Sequence, residues 1–283
     1  MRLETVISDF KEKITKLNDR LQELQNTKDQ QISLIDPDAR SMSTNRSGKG
    51  NVGYNVQSSV DTKHHLIVAH EVTNIPSDRG LLSKMAKVSK DILHTDKLTV
   101  VADRGYFKSE EIKLCHDAGI VTYVPKPRTS GNKAKGLFDK ADFIYHPEDD
   151  SYECPAGQKA IYRFTTIEKG MSNKRYWSSA CVGCPEKEKC TTGVNRRITR
   201  WEHESILDEM SERLNLNPNV ITIRKSTVEH PFGTIKAWMG STHFLMKTLP
   251  RVSAEMSLHV LAYNLTRVMN MIGSKQLIKA IQA

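Results

Sequence analysis

The hydrophobic positions divide the chain into segments with different periodicities. Near the N-terminus, apolar residues recur at alternating spacings of four and three, with polar or charged residues between them. These apolar residues are Leu3, Ile7, Phe10, Ile14, Leu17, Leu21 and Leu24. The pattern predicts a coiled-coil-like helix within residues 1–30. It is equally compatible with an arm that joins two copies of the protein and with a helix packed on its own body.

Residues 31–127 alternate between strand-like and helix-like patterns. Two runs rich in β-branched residues, at about 53–60 and 66–73, predict a hairpin. The segment RGLLSKMAKVSKDILHT then predicts an amphipathic helix. A strand LTVVA, a helix SEEIKLCHDAG and a strand IVTYV follow. This order predicts a mixed sheet with helices on its faces, which is a mixed α/β fold.

The remaining chain divides into a polar segment and a helical segment. Residues 128–200 are polar and carry four of the five cysteines. Residues 201–283 return to a helical pattern and include the long apolar segment LPRVSAEMSLHVLAYNLTRVMNMI. We therefore interpret 128–200 as an insertion, too polar to form a core, and 201–283 as the C-terminal helical part of the domain that begins at residue 31.

The cysteines of the insertion have the spacing C-x26-C-x2-C-x5-C and are Cys154, Cys181, Cys184 and Cys190. Two thiolates on one tight turn, as in CVGC, can share a tetrahedral ion, so the spacing predicts a structural zinc site. His203 could replace one of the four cysteines. A redox role for CVGC is disfavoured because the motif does not connect a strand to a helix.

The overall charge favours a polyanionic partner. The chain has 42 Lys and Arg residues against 33 Asp and Glu residues, a formal net charge of +9. Nucleic acid is the first candidate partner, although a basic surface can also serve solubility alone. No apolar run approaches the length of about 18 residues that a membrane span needs, and the N-terminus lacks a signal-peptide layout. We expect a cytoplasmic protein.

Two acidic residues stand in unusual surroundings. Asp103 ends the apolar run LTVVA and is followed at once by Arg-Gly-Tyr, so it is expected at a strand end, where ligands are often held. Glu229 lies in RKSTVEHPFGTIKAWMG. Ser226, Glu229 and Pro231 have the spacing of a helix start, which predicts a helix that Glu229 caps.

A second interpretation of Glu229 takes account of the charges around it. Arg224, Lys225 and Lys236 surround this single acid with cations. Cations around a carboxylate suit a site that holds a metal ion and a phosphate together.

Four segments together resemble the DDE transposases of bacterial insertion sequences. They are GYNVQSSVD, VVADRGY, ACVGCPEKEKCT and VEHPFGTIK, and the nearest likeness is to the branch with a cysteine-bearing insertion. The resemblance extends over roughly residues 35–272. It implies a ribonuclease-H-like fold and a homo-oligomer that acts on transposon ends and target DNA, at the nucleoid of a bacterial cell.

The resemblance also implies roles for particular residues. Two aspartates and a glutamate would hold two divalent ions, normally Mg²⁺. Asp103 matches the second aspartate, and Glu229 matches the glutamate. The basic positions that hold DNA near the glutamate are matched by Arg224 or Lys225, and by Lys236. We expect further phosphate contacts from Arg196 and Arg197 in the run NRRITR.

The first aspartate of the family pattern has no clear counterpart. The resemblance places it on a strand before the hairpin, followed by Gly-Thr, and no Asp-Gly-Thr occurs in the chain. This favours an N-terminally truncated copy. Asp36, at the end of the short run ISLI, is the rival candidate and Asp38 the next, although Pro37 suits an exposed turn.

Three functions follow from these alternatives. The first is a transposase that cleaves DNA and transfers strands with two metal ions. The second is a catalytically dead remnant that binds DNA or assists assembly. The third, which the hairpin and insertion motifs disfavour, is a ribonuclease-H-like nuclease without a role in transposition.

Overall fold

The computed structural model describes residues 2–27, 29–42, 50–127 and 131–282. The chain forms two compact units. The first unit comprises Met1–Thr122 and Pro218–Ala283, and the second comprises Tyr123–Asn217. The second unit includes the predicted insertion, residues 128–200, together with about twenty flanking residues. Helices and strands are both abundant, so the fold is mixed α/β as the sequence predicted.

The first unit begins with helix α1, Arg2–Asn26, where the heptad pattern predicted a helix. Its apolar stripe is exposed to solvent from Leu3 to Leu21, with exposed fractions between 47% for Ile7 and 76% for Leu3, whereas Leu24 is half-buried. The described part of the body therefore leaves this stripe largely uncovered. Among the described residues, no helix combines the length and the apolar character that a membrane span requires.

Short strands and helices follow α1 in the first unit. Strands β1 and β2 form an antiparallel pair, as do β3 and β4, in which Asn55 lies opposite Thr73. Strands β5 and β6 form a separate two-stranded sheet. The predicted hairpin is therefore present as β3 and β4. The bounds are β1 Arg40–Met42, β2 Asn51–Gly53, β3 Asn55–Val60, β4 Ile67–Thr73, α2 Leu82–Ile92, β5 Leu98–Val101, α3 Ser109–Asp117 and β6 Ile120–Tyr123.

The second unit is built on a five-stranded antiparallel sheet, with each strand next to its neighbour in sequence. Its elements are β7 Ile144–His146, β8 Ser151–Glu153, β9 Lys159–Glu168, β10 Met171–Trp177, β11 Ile198–Trp201 and the helix α4 Glu204–Leu216. One side of this sheet buries a core of Phe143, Tyr152, Ala160, Tyr176 and Ile198.

The expectation that the insertion is too polar to form a core was wrong. The core relies on tyrosines, whose rings supply apolar area while their hydroxyls find polar partners. Tyr145 and Tyr176 both donate hydrogen bonds to Asp150 Oδ1, at 2.8 and 2.7 Å. A segment with few aliphatic residues can therefore still bury a compact centre.

The first unit resumes with helices α5 Val220–Gly233, α6 Leu249–Ile272 and α7 Ser274–Gln282. Helix α6 packs against β4 and supplies Val252, Met256, Val260 and Tyr263 to the core of this unit. Asn264 on α6 bonds to both main-chain groups of Ile67, at 2.9 Å each. These bonds fix α6 to the start of β4.

Helix α5 corrects the predicted helix start at Ser226. The helix begins six residues earlier, at Val220, so Ser226 and Glu229 lie in its interior. The Ser226 hydroxyl donates to the Ile223 carbonyl at 2.8 Å and does not cap the helix. Pro231 is in the last turn, where its missing N–H removes the bond that position 231 would make to the Thr227 carbonyl, and a π-helical turn at Thr234–Trp238 follows.

Candidate active site

Asp103 lies just beyond β5, as the sequence predicted. The buried Ala102 separates it from the strand, and its side chain caps a 3-10 turn at Arg104–Tyr106 by accepting from the Gly105 N–H at 2.7 Å. Its other carboxylate oxygen accepts from Arg224 Nη2 at 3.2 Å. The Asp103 side chain is 46% exposed, so a ligand can reach it from solvent.

Asp78 is a second acid at this place and was missed from the sequence. A Cβ atom added to Gly105 would lie 3.0 Å from Asp103 Oδ1 and 3.5 Å from Asp78 Oδ2. Both carboxylates therefore approach the same point, and a side chain at position 105 would crowd that of Asp103. Glycine at position 105 leaves room for this close approach.

The orientation of Asp78 is fixed by amides on β3. Asn55 Nδ2 and Gln57 Nε2 each donate to Asp78 Oδ1 at 2.8 Å. Gln57 is 2% exposed, and its Oε1 accepts from the Tyr106 hydroxyl. Burial, with the negative charges of Asp78 and Asp103, raises the pKa of Tyr106 far above its usual value, so Tyr106 stays a neutral donor.

The only sequence signal for this network is weak. Asn55 and Gln57 stand two residues apart, which places both side chains on one face of β3. A polar pair on the face of a half-buried strand indicates a partner, but it does not say where in the chain the partner lies.

Helix α5 brings Arg224 to Asp103 but not Glu229. Arg224, Thr227 and Val228 line a pocket of about 470 Å³ together with Asp103, whereas Glu229 does not line it. Glu229 is exposed and follows Arg224 by five residues, which is about 7.5 Å along the helix and roughly 140° around it. Within the described residues its side chain makes no hydrogen bond or ion pair, so its carboxylate is available.

The other cations near Glu229 differ from Arg224. Lys225 and Lys236 are exposed, and neither forms an ion pair within the described part of the chain. The sequence left open whether Arg224 or Lys225 matches the basic position of the family pattern. The two side chains differ in the structure, since Arg224 contacts Asp103 and Lys225 is exposed to solvent.

Asp36 occupies a different position, at the start of α6. It is 8% exposed, and its carboxylate accepts from the Tyr54 hydroxyl at 2.8 Å and from the main-chain N–H of Thr248 at 3.1 Å. The neighbouring Asp38 accepts from the N–H of Leu249 at 2.8 Å. Both acids therefore satisfy the free amides at a helix N-terminus.

The four cysteines of the insertion converge in the second unit. Cys154, Cys181, Cys184 and Cys190 all line one small pocket of about 30 Å³. Burial and the three other thiols raise the pKa of Cys190, while Arg196 opposes this shift. His203 does not line the pocket. No group of three or more His, Cys, Asp or Glu residues is arranged to hold a metal ion in the part of the chain that the structure describes.

The two adjacent arginines before β11 point to different surroundings. Arg196 lines the cysteine pocket, and its Nη2 donates to the Phe138 carbonyl at 3.1 Å. Arg197 is exposed and lies over the ring of Trp177, 5.6 Å from its centroid. Arg196 is thus engaged within the unit, whereas Arg197 is presented at the surface.

A comparison with protein families decides the identity of the chain. The model of a family described as the transposase DDE domain matches residues 27–265. The chain belongs to this family. Comparison with curated proteins gives no match, and comparison with solved structures gives none either.

Membership of the transposase DDE-domain family gives the acids a chemical context. Transposases act on DNA, and this family generally uses Mg²⁺ or Mn²⁺. The exposed carboxylate of Asp103, with that of Asp78 beside it, offers the oxygen ligands that Mg²⁺ prefers. The donor chemistry at the end of β5 is therefore of the kind that a divalent ion takes, with two carboxylates present and no third ligand arranged beside them in the described residues.

Proposed function

We propose that this transposase domain cleaves DNA and transfers strands during the transposition of an insertion sequence, with a ribonuclease-H-like catalytic core. The observation that carries the proposal is the Asp103 carboxylate, exposed at the end of β5 and paired with Arg224 from α5 in a chain of the DDE family.

Asp103 and Glu229 are the proposed ligands of two Mg²⁺ ions, which would activate the attacking oxygen and stabilise the leaving oxygen. Because Glu229 lies roughly 140° around α5 from Arg224, this helix must rotate or locally unwind before Asp103 and Glu229 can share a site. Arg224 neutralises Asp103 in the free protein, and its guanidinium is placed to bind a phosphate when DNA arrives.

This function can be tested on supercoiled plasmid DNA that carries the ends of the element. The full chain should nick or linearise the plasmid in Mg²⁺ or Mn²⁺ and should be inactive in EDTA. Binding without cleavage under all of these conditions would reject the proposal.

Binding without cleavage is the second candidate function, and the position of Asp36 favours it. The hydrogen bonds from Tyr54 and Thr248 engage both oxygens of this acid at the start of α6. If the catalytic set needs three acids on separate elements, Asp36 is poorly placed to supply the one that the family pattern puts first.

Arg197 is a proposed DNA contact, and Arg196 provides a matched control. Arg197→Ala should weaken DNA binding similarly for all sequences and should flatten the slope of log affinity against log salt by about one unit. Arg196→Ala should leave that slope unchanged, because Arg196 is engaged with Phe138. Equal slopes for the wild-type chain and Arg197→Ala would show that Arg197 does not contact DNA.

Lys225 and Lys236 are proposed as further contacts to DNA phosphates, in the first unit.

Structural zinc is proposed for Cys154, Cys181, Cys184 and Cys190, supported by their convergence on one pocket. Thiolates must replace thiols when zinc binds, so a small rearrangement would draw the four sulfurs into a tetrahedron. Protein purified without chelators should carry about one zinc per chain, and Cys181→Ser should lose it. Cys115→Ser, outside the pocket, should keep it. Elemental analysis that finds no zinc in the wild-type chain would contradict the proposal.

A homo-oligomer joined through α1 is also proposed. Isoleucine at positions 7 and 14 alternates with Leu3, Phe10 and Leu17, and β-branched residues at alternate seam positions favour two-stranded parallel coiled coils. The exposure of this stripe supports a partner helix from a second copy. The oligomer would act on DNA at the nucleoid, in the cytoplasm.

A further inference from the structure

The pocket beside Asp103 runs along the edges of two strands. It is lined by all six residues of β3 and all four residues of β5. Successive residues of a strand face opposite sides of its sheet, so a pocket on one face would be lined by alternate residues only. A pocket that meets every residue of both strands therefore lies between their edges.

Both of these edges lack a partner strand. Among the described residues, β3 pairs only with β4, and β5 pairs only with β6. The free edge of each strand presents main-chain N–H and C=O groups, which in a sheet interior are almost always paired. The two edges border one pocket of about 470 Å³, which we name the strand slot.

Helices restrict what can enter the strand slot. Helix α5 contacts both β3 and β5, and α2 contacts β3. Apolar side chains from both helices line the slot, among them Leu82, Met85 and Phe232. Charged and amide groups meet at one end, at Gln57, Asp78, Asp103 and Arg224, and Asp61 follows the opposite end of β3. Between these ends the slot is lined by apolar side chains and small hydroxyls, so an occupant there needs largely apolar side chains and a backbone that can pair on two sides.

We infer that the strand slot binds an extended segment of another polypeptide chain as an added β-strand, paired with β3 and β5. About six residues, spanning roughly 20 Å, would match the length of β3. The segment would carry apolar side chains on both faces, because strands covered by helices read as continuous apolar runs. Nucleic acid does not fit this description, since its backbone offers no amide donors and its charge opposes an apolar lining.

A synthetic peptide tests the inference directly. The probe has six consecutive Val and Ile residues between lysine pairs, and it is added to the full chain while amide hydrogen exchange is followed. We expect exchange to slow at least tenfold in residues 55–60 and 98–101. Exchange in β9 and β10 of the second unit should not change. Unchanged exchange in β3 and β5 at saturating peptide would overturn the inference.

Two controls separate strand addition from unspecific apolar binding. A peptide with the same side chains and N-methyl groups on alternate core amides cannot complete both ladders, so its affinity should fall at least tenfold. Val100→Lys, inside the slot, should abolish binding of the unmodified peptide, whereas Val52→Lys, at an exposed position outside it, should not. Equal binding of the two peptides would overturn the inference, as would self-association of the chain through β3 and β5 without added peptide. None of these measurements uses DNA, so their failure would leave the proposed transposase function untouched.

Discussion

Replacing Asp103 with asparagine should lower Mg²⁺-dependent DNA cleavage by about 10³-fold or more. The amide keeps the shape and can still accept from the Gly105 N–H, but it removes the negative charge that a divalent ion and Arg224 both need. DNA binding, measured by fluorescence anisotropy in Ca²⁺, should change by less than about threefold, because phosphate contacts by cations dominate affinity.

Asp96→Asn is the matched control for this prediction. Asp96 is an exposed acid two residues before β5 and does not line the strand slot, so its replacement should leave cleavage unchanged. If Asp103→Asn cleaves DNA at a rate close to that of the wild-type chain, Asp103 is not a ligand of the catalytic ions.

Replacing Asp36 with asparagine should destabilise the first unit by about 2 kcal/mol, as expected when a buried carboxylate with several donors is altered. The amide cannot accept equally well from Tyr54, Thr248 and Asp38 at once, and these bonds hold the start of α6. Urea unfolding followed by circular dichroism measures the change. Asp19→Asn, on the exposed surface of α1, should have little effect.

The stabilisation by Asp36 should also depend on pH. Burial would raise the pKa of this carboxyl, but hydrogen bonds from Tyr54, Thr248 and Asp38 outweigh burial and lower it. A lowered folded-state pKa means that the stabilisation is complete above the unfolded-state pKa of about 3.9 and is lost as the pH falls through the lower folded value. The Asp36→Asn variant should therefore lose less stability than the wild-type chain below pH 4. If Asp36→Asn kept full stability and lost cleavage activity, Asp36 would instead be a catalytic residue.

The first unit could be predicted well where local pattern and tertiary contacts agree. The hairpin of β3 and β4 has runs rich in β-branched residues, helix α2 has a period of 3.6 and strand β5 is an apolar run, and each adopts the predicted structure. The position of Asp103 at a strand end followed from the same reasoning, because an apolar run stops abruptly at this acid and a glycine follows it.

Two sequence-based predictions were wrong, and each failed for a physical reason. In the second unit, hydrogen-bonded tyrosines replace aliphatic residues in the core, so composition alone suggested a segment without one. In α5, Ser226, Glu229 and Pro231 have the spacing of a helix start, but the preceding residues Val220–Lys225 are already helical. Tertiary context overrode the capping signal, which is worth only about 1 kcal/mol.

Asp78 illustrates what a single sequence does not contain. Its partners Asn55 and Gln57 are more than twenty residues away, and its neighbour Asp103 is further still. Periodicity within one segment cannot predict that these residues lie close together in the fold. Their proximity arises from the way β3, the 3-10 turn at Asp78–Gly80 and the turn after β5 pack together. Arg224 reaches the same place from the other end of the chain.

The central claim is that Asp103 and Glu229 together hold the divalent ions of a DNA-cleaving site. The most direct test counts Mn²⁺ ions bound to the chain in the presence of DNA by electron paramagnetic resonance, for the wild-type chain, Asp103→Asn and Glu229→Gln. The account predicts two tightly bound ions in the wild-type chain and the loss of at least one in each variant. The same number of bound ions in all three proteins would contradict it.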